Sequence, residues 1–140
     1  MEIILNADGA IAGRLAAYAA KQALLGHQIS IINSEKAIIS GRKENIVARY
    51  KHKRDRGTPF KGPFISRIPD RFLRRIIRGM LEHRRGRGKE AFTNIMCYLG
   101  VPEEFKGKQA INVERALLKN SKIVRYVTVL DVCRALGAKQ

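Results

Sequence analysis

The chain has 140 residues, of which 45% are hydrophobic and 29% are charged, and its formal net charge is +16. A chain of this length is expected to form a single domain over residues 1–140, and its hydrophobic content excludes global disorder. Because so much positive charge destabilises a compact chain by self-repulsion, it predicts a polyanionic partner.

The charge is concentrated in the middle of the chain. Residues 1–41 carry 3 basic residues (Lys or Arg) and 3 acidic residues (Asp or Glu). Residues 42–89 carry 17 basic and 4 acidic residues, and residues 90–140 carry 8 basic and 5 acidic residues. A surface that serves solubility typically has positive and negative charges interspersed. A segment with so dense a positive charge favours binding of an anion instead.

Several classes of protein are excluded by what the sequence lacks. The N-terminus MEIILNADG has neither the basic region nor the long apolar region of a signal peptide, and no apolar run reaches the length of a membrane span. Cys97 and Cys133 are too far apart for a CxxC zinc site, and both lie in apolar surroundings. We therefore expect reduced core thiols of a cytosolic protein.

The first forty residues have the pattern of a β-α-β unit. The apolar run EIILN is followed by the turn ADG, by an Ala- and Leu-rich helix that Gly26 would end, and by a second apolar run, ISIIN. Short connections imply parallel pairing, and parallel strands that are buried on both faces are continuously apolar.

A basic helix and a long loop follow. The helix is predicted from Arg42 to about Lys53, and the loop over residues 55–66, DRGTPFKGPFIS, has no periodicity. Loops of this length are often functional, and at about 3.3 Å per residue this one would reach roughly 40 Å when extended. We expect Phe60 and Phe64 to anchor it to the core, with stacking on nucleic-acid bases as the alternative.

Residues 69–82 are predicted to form an amphipathic helix that begins at Pro69. Apolar residues recur along one face, and arginines take the complementary positions. The apolar set is Leu73, Ile76, Ile77, Met80 and Leu81, and the basic set is Arg71, Arg74, Arg75 and Arg78. We expect one face to pack on the core and the other to present four guanidinium groups, followed by a glycine-bearing basic turn, HRRGRGK, that lets phosphates approach closely.

The rest of the chain predicts a short helix, a last strand and a C-terminal helical extension. The segment KEAFTN leads into a strand near Ile95 to Leu99. The extension covers about residues 101–140 and ends in a helix capped by Thr128 and stopped by Gly137.

No catalytic or metal-binding constellation is recognisable. Gly9 and Gly13 in DGAIAGR match neither GxGxxG nor GxxxxGK[ST], so a tight turn is the simpler interpretation, although Arg14 stays a candidate phosphate contact. The carboxylates form no pair that would hold the Mg²⁺ of a nuclease or polymerase. We predict no enzyme activity, no cofactor, no metal and no small-molecule substrate.

The basic segment, residues 42–89, is therefore the candidate functional site. Its helix turns an ordinary apolar stripe inward, which disfavours a membrane partner, and no zinc finger, heptad dimer or helix-turn-helix points to DNA. Folded RNA, recognised by shape and backbone, suits a basic domain with a long loop. The predicted RNA-binding residues are Arg14, Arg42, Lys43, Arg49, Lys51, Lys53, Arg54, Arg56, Lys61, Arg67, Arg71, Arg74, Arg75, Arg78, Arg84, Arg85, Arg87 and Lys89.

Three motifs carry a resemblance to a known family. NADGAIAGRLA, then IINSEKAIISG, then RGML with a basic stretch and YLG resemble the large-subunit ribosomal protein family L-thirteen over about residues 3–100. HRRGRGKEAF and the long C-terminal part are similar to its archaeal and eukaryotic branch. The resemblance implies a three-layer α/β/α domain with a mostly parallel four-stranded sheet. It also implies a structural, assembly-supporting role in the cytoplasmic large ribosomal subunit, in contact with large-subunit rRNA and neighbouring ribosomal proteins.

The resemblance also assigns particular residues. It places Asp8, Gly9, Gly13 and Arg14 in the first strand-to-helix turn, Lys36 and Gly41 in the second motif, and Arg78, Gly79 and Met80 at the end of the signature helix. Family members usually have Pro where this chain has Glu82. Because Pro would tend to stop the helix, we expect this helix to run past Met80 by about a residue or a turn.

The sequence thus predicts a structural rRNA-binding protein of the large ribosomal subunit. Two alternatives stay open at this point. A non-ribosomal RNA chaperone or regulator would be found outside ribosomal particles, and a nucleic-acid enzyme would show metal-dependent turnover.

Overall fold

A computed structural model describes residues 1–138, which contain five α-helices and five β-strands. Short 3-10 turns lie at Ser34–Lys36 and, in the C-terminal part, at Glu103–Phe105, Glu114–Ala116 and Leu118–Asn120. In chain order the elements are β1 (Glu2–Asn6), α1 (Ala12–Leu24), β2 (Gln28–Ile32), β3 (Ile38–Ser40), α2 (Lys43–Asp55), α3 (Pro69–Arg78), α4 (Gly86–Thr93), β4 (Ile95–Cys97), β5 (Tyr126–Thr128) and α5 (Val129–Ala135).

The predicted β-α-β unit is confirmed. β1 and β2 pair in parallel, with Ile3 opposite Ile29 and Leu5 opposite Ile31. α1 connects them and buries an alanine-rich face against the core. The helix ends where Gly26 takes a φ of +96°, in the left-handed region that glycine adopts without strain.

The sheet has three parallel strands instead of the four predicted. β4 pairs with β2, which gives the order β1-β2-β4, and a single parallel bridge from Leu5 to Ile111 extends the β1 edge. β3 lies outside this sheet and pairs antiparallel with β5, with Ile39 opposite Val127. The α/β class is confirmed. The C-terminal part contributes β5, which pairs with β3, and the bridge at Ile111.

The main core lies on one face of the parallel sheet. Ile3, Leu5 and Ile31 point into it and are met by α1, α3, α4 and α5. Alternate residues of the same strands point the other way, since successive side chains of a strand face opposite sides. On that side Ile4 and Ile32 form a small cluster with Phe105.

α3 begins at Pro69, as predicted, but it ends at Arg78 and does not reach residue 82. The expectation that Glu82 would prolong the helix past Met80 is therefore wrong. Gly79 ends it, and the next amide groups, those of Met80 and Leu81, bond carbonyls three residues back in tight turns. As a result Met80 is 46% exposed, although it was predicted to be in the apolar face.

The short helix predicted over KEAFTN is confirmed as α4, but it begins earlier than predicted, within the basic stretch. α4 begins at Gly86, so the turn expected over HRRGRGK ends at Arg85. Gly88, in the first turn of α4, packs directly on the backbone of Glu82. This close approach brings the chain back after α3 and explains why the residue is glycine.

The terminal helix follows its predicted signals. The side-chain oxygen of Thr128 accepts a hydrogen bond from the Asp131 amide at 3.2 Å, which caps the start of α5. At the other end Gly137 takes a φ of +109°, and the Ala138 amide donates to the Cys133 carbonyl. Both ends of this helix were therefore readable from the sequence.

We expect Gly88→Ala to destabilise the protein by about 1–3 kcal/mol, the usual range for overpacking a filled site. The added Cβ would lie 2.6 Å from the carbonyl carbon of Glu82, so the backbone must shift. Gly13→Ala is the matched control, because a Cβ there meets no atom within 4 Å. It should leave stability unchanged or raise it by about 0.5 kcal/mol. Urea unfolding of both variants tests this, and equal midpoints would contradict it.

Cys97 and Cys133 are free and buried, which confirms the expectation of core thiols. Burial raises the pKa of each thiol to about 12, so almost no thiolate forms near neutral pH. At about pH 8 the folded protein should therefore resist the thiol reagent DTNB, while the chain in denaturant reacts fully. Rapid labelling of the folded protein would show that the core opens.

Candidate nucleic-acid interface

The predicted basic residues, apart from Arg14, lie between the residue before α2 and the first half of α4. Fifteen of the eighteen are exposed, and Arg74, Arg75 and Arg78 are partly buried. Within residues 1–138 the one carboxylate contact to any of them joins Arg54 Nε to Asp55 Oδ1 at 3.6 Å. Most of this charge therefore has no acidic partner in the described fold and is available to an external anion.

A groove of about 580 Å³ lies between α2, the following loop and α3. Tyr50 and Phe72 line it, and their rings pack with centroids 4.8 Å apart. Lys53, Arg56 and Arg75 line it as well, and no Asp or Glu is among its described lining residues. The groove thus combines aromatic surface with unopposed positive charge.

The ring of Tyr50 also fixes two cations of α2. The Arg49 guanidinium carbon lies 5.4 Å from the ring centroid, and Lys53 Nζ lies 5.2 Å from it. A cation at this range is attracted to the electron-rich face of an aromatic ring. The contact restricts two long side chains of the candidate site without neutralising their charge.

Arg75 ties the long loop to α3. Its Nη1 atom donates to the Phe64 carbonyl at 2.6 Å. Burial, and secondarily the positive charge of Arg78, lowers the pKa of Arg75 from its ordinary value. The guanidinium group is thus already used within the fold, where it holds the end of the loop beside the groove.

Two further arginines hold the loop and α2 against α5. Arg54 Nη1 donates to the Leu136 carbonyl at 2.8 Å, and Arg67 Nη1 donates to the Gly137 carbonyl at 3.4 Å. The carbonyls at a helix C-terminus have no partner within the helix and carry partial negative charge. The C-terminal helix therefore helps to position the basic segment.

Arg74 is engaged more fully than any other predicted contact. Its Nε donates to the Ile95 carbonyl at 2.9 Å and its Nη2 to the Phe92 carbonyl at 3.2 Å. The guanidinium carbon lies 4.0 Å from the centroid of the Phe92 ring. The prediction of four free guanidinium groups on α3 is therefore wrong for Arg74 and Arg75, whereas Arg71 is exposed without a side-chain partner among the described residues.

The loop between α2 and α3 contains a tight turn that its lack of periodicity did not reveal. The Gly62 amide donates to the Thr58 carbonyl at 3.1 Å and closes the turn. Phe60 at its tip is 93% exposed and Phe64 is 66% exposed. The expectation that both rings anchor the loop to the core is wrong, because the turn satisfies its own backbone and holds Phe60 outward.

Sequence reasoning missed a second group of cations, in the C-terminal part. Arg14 Nη1 donates to the Arg115 carbonyl at 3.4 Å, and the Gly41 amide donates to the Arg125 carbonyl at 2.9 Å. This part of the chain therefore lies beside the β1–α1 turn and the start of α2. The exposed cations that it adds are Arg115, Lys119, Lys122 and Arg125. Their modest local charge gave no signal, and only tertiary pairing places Arg115 beside Arg14 and Arg125 beside the residue that precedes Arg42.

Residues 1–138 contain neither a candidate metal site nor a candidate membrane-spanning helix. No group of three or more His, Cys, Asp or Glu side chains there is placed to hold a metal ion. None of the helices described in this range has both the length and the apolar character needed to cross a membrane.

Comparison with known proteins decides the family. A family profile described as "Ribosomal protein L13" matches residues 1–104. The chain belongs to the ribosomal protein L13 family. This confirms the resemblance that the three motifs carried.

Relatives in this family match beyond the profile. The "Large ribosomal subunit protein uL13" of Archaeoglobus fulgidus is 44% identical over 135 residues, which is 96% of this chain and 86% of the relative. The protein of the same name from Methanococcoides burtonii is 42% identical and covers 97% of this chain and 98% of its own. The protein of the same name from Haloarcula marismortui is 37% identical, and the match covers 99% of this chain and 93% of the relative. The likeness thus includes the C-terminal part, which lies beyond the three motifs.

The structure shows why two of the L13-family motifs occur together. The Gly9 amide donates to the Lys36 carbonyl at 3.4 Å, and the Ile38 amide donates to the Ala10 carbonyl at 2.8 Å. Gly9 and Gly41 have φ angles of +71° and +123°, which side chains rarely tolerate. The first two motifs therefore form one backbone-paired corner, whereas the third ends α3.

We expect Arg74→Ala to destabilise the fold by about 1–2 kcal/mol, since two charge-assisted hydrogen bonds and a ring contact are lost. Arg71→Ala is the matched control on the same helix and should change stability by less than about 0.5 kcal/mol. Urea unfolding monitored by circular dichroism measures both. Equal effects would mean that the Arg74 contacts contribute nothing to the fold.

Proposed function

We propose that the chain is a non-catalytic structural constituent of the large ribosomal subunit that binds large-subunit rRNA and supports subunit assembly. Family membership supports the ribosomal role. The observation that carries RNA binding is the basic segment, where seventeen cations and four acids lie within residues 42–89 and form a single ion pair among the described residues. Neutralisation by a polyanion relieves the self-repulsion of this segment.

The eighteen predicted residues divide into two roles in this proposal. Arg14, Arg54, Arg67, Arg74 and Arg75 donate to carbonyls of the chain itself and position the surface. The other predicted cations, on α2, the loop, α3 and the start of α4, contact phosphates. Backbone contacts of this kind set the orientation of a protein on RNA and depend little on base sequence.

Two further features of the architecture belong to the proposal. We infer one domain of three layers, in which the Phe105 cluster covers the sheet face opposite the helices. The bridge at Ile111 takes the position of a fourth, parallel strand. Neighbouring ribosomal proteins are the remaining partners that we expect.

The test is equilibrium binding to purified large-subunit rRNA and to an unrelated RNA of equal length, across a salt titration. We expect a steep decrease of log K with log[salt] for both RNAs, and tighter binding of rRNA at moderate salt. Each neutralised phosphate contributes roughly 0.7–0.9 to the slope. Equal affinity for the two RNAs would contradict the ribosomal role and favour the RNA chaperone alternative.

Matched variants connect the slope to the proposed surface. Lys43→Gln and Lys51→Gln remove exposed charges from α2 and should each reduce the slope by about 0.7–0.9. Lys21→Gln removes an equally exposed charge from α1, in the part of the chain without net charge, and should leave the slope unchanged. A slope that falls equally in all three variants would mean that only net charge matters.

A further inference from the structure

Phe60 is exposed to an unusual degree. Its side chain is 93% accessible, the highest fraction among the large exposed apolar residues of the described chain, and Phe64, four residues on, is 66% accessible. Single exposed aliphatic residues are common on protein surfaces and need no explanation. Two exposed phenylalanine rings in one short loop leave much aromatic surface in water, and an aromatic partner would cover it.

The turn that carries Phe60 is closed by its own hydrogen bonds. Thr58 accepts from two amides at 3.1 Å, its carbonyl from Gly62 and its hydroxyl oxygen from Lys61. A Cβ on Gly57 would collide with the Gly62 carbonyl oxygen, so the two sides of the turn lie in close contact. These bonds define the turn that carries Phe60, and its ring is exposed there.

The surroundings of the turn are basic. A hollow of about 400 Å³ beside it is lined by Arg54, Arg56, Pro59 and Phe64. Asp55 is also present, but its carboxylate faces the Arg54 guanidinium at 3.6 Å. Lys61, next to Phe60, is exposed and its side chain has no partner among the described residues. The hollow therefore presents the Phe64 ring beside cations, and Phe60 and Lys61 belong to the same turn.

We propose that Phe60 stacks on an unpaired base of RNA while Lys61 and Arg56 contact the adjoining phosphates. This rests on the proposed function and names the part of the RNA that the loop recognises. A paired A-form helix hides its base faces, so the partner is a loop, a bulge or a strand end. Every base has a flat π-face, so an exposed ring between cations binds such a nucleotide with little sequence preference.

An apolar pocket on a neighbouring protein is the competing occupant. The centres of protein–protein interfaces are depleted in lysine, and here Lys61 directly follows Phe60 and is exposed. The charge around Phe60 therefore favours a nucleotide.

The salt titration with large-subunit rRNA separates stacking from charge. Phe60→Ala should weaken binding about ten-fold or more at every salt concentration without changing the slope, because stacking releases no counterions. Lys61→Gln should reduce the slope by about 0.7–0.9. Phe60→Tyr should bind like the parent chain, and Phe60→Leu should behave like Phe60→Ala. All variants should keep the parent's urea midpoint, because Phe60 makes no core contact.

Fluorescence gives a direct readout, since the chain contains no tryptophan. Phe60→Trp creates a single reporter whose emission rRNA should quench and protect from acrylamide. Met96→Trp is the control, because Met96 is 45% exposed and lies in β4, outside both groups of cations, so this reporter should stay accessible.

The failures of the two proposals are distinguishable. If the parent chain shows no preference for rRNA, the proposed function fails. If the parent prefers rRNA and Phe60→Ala binds it equally well, the stacking proposal fails and a protein contact at Phe60 takes its place.

Discussion

The burial of one face of α3 is the interaction on which the basic surface depends. Leu73 and Ile77 are completely buried, and α1, β4 and α5 pack around this helix. The arginines of the opposite side follow from the same helical periodicity, so fixing the apolar face also fixes where those side chains start. Without this contact nothing would hold the adjoining loop and the start of α4 in fixed positions relative to each other, and repulsion between their positive charges would separate them.

Guanidinium groups in this chain serve two purposes, and the local sequence does not distinguish them. Arg71 and Arg74 stand on the same helix, three residues apart, in equally basic surroundings. Arg74 meets the carbonyls of Phe92 and Ile95, whereas Arg71 faces solvent. The difference comes from which distant segment passes beside each side chain. A carbonyl at the C-terminal end of a helix carries partial negative charge. An arginine that reaches it is held by electrostatic attraction and by directional hydrogen bonds.

This division gives the proposed rRNA contact a physical basis. Arginines bonded within the fold hold α2, the loop and α5 together, so that the remaining cations are presented on fixed supports. Preorganised side chains lose less conformational entropy when they bind than mobile ones do. The short turn at Thr58 to Gly62 extends the same principle to an aromatic ring, since its own hydrogen bonds keep Phe60 away from the core. Charge then supplies affinity for RNA in general, and the ring adds a contact that only exposed bases can make.

The sequence by itself determined the features that depend on near neighbours: the β-α-β unit, the start of α3 at Pro69, the cap at Thr128, the position of the basic segment and the family. The structural elements are set by spacing within a few residues, which helical or strand periodicity reports directly, and the family is recognised from three short motifs. Tertiary structure alone decided the rest. It decided the pairing of β3 with β5, the end of α3 before Glu82, the internal partners of Arg54 and Arg74, and the approach of Arg125 to Gly41. These features join residues far apart in the chain or depend on how the backbone reverses. Such contacts are selected by the packing of the whole molecule, and no local pattern of residues encodes them.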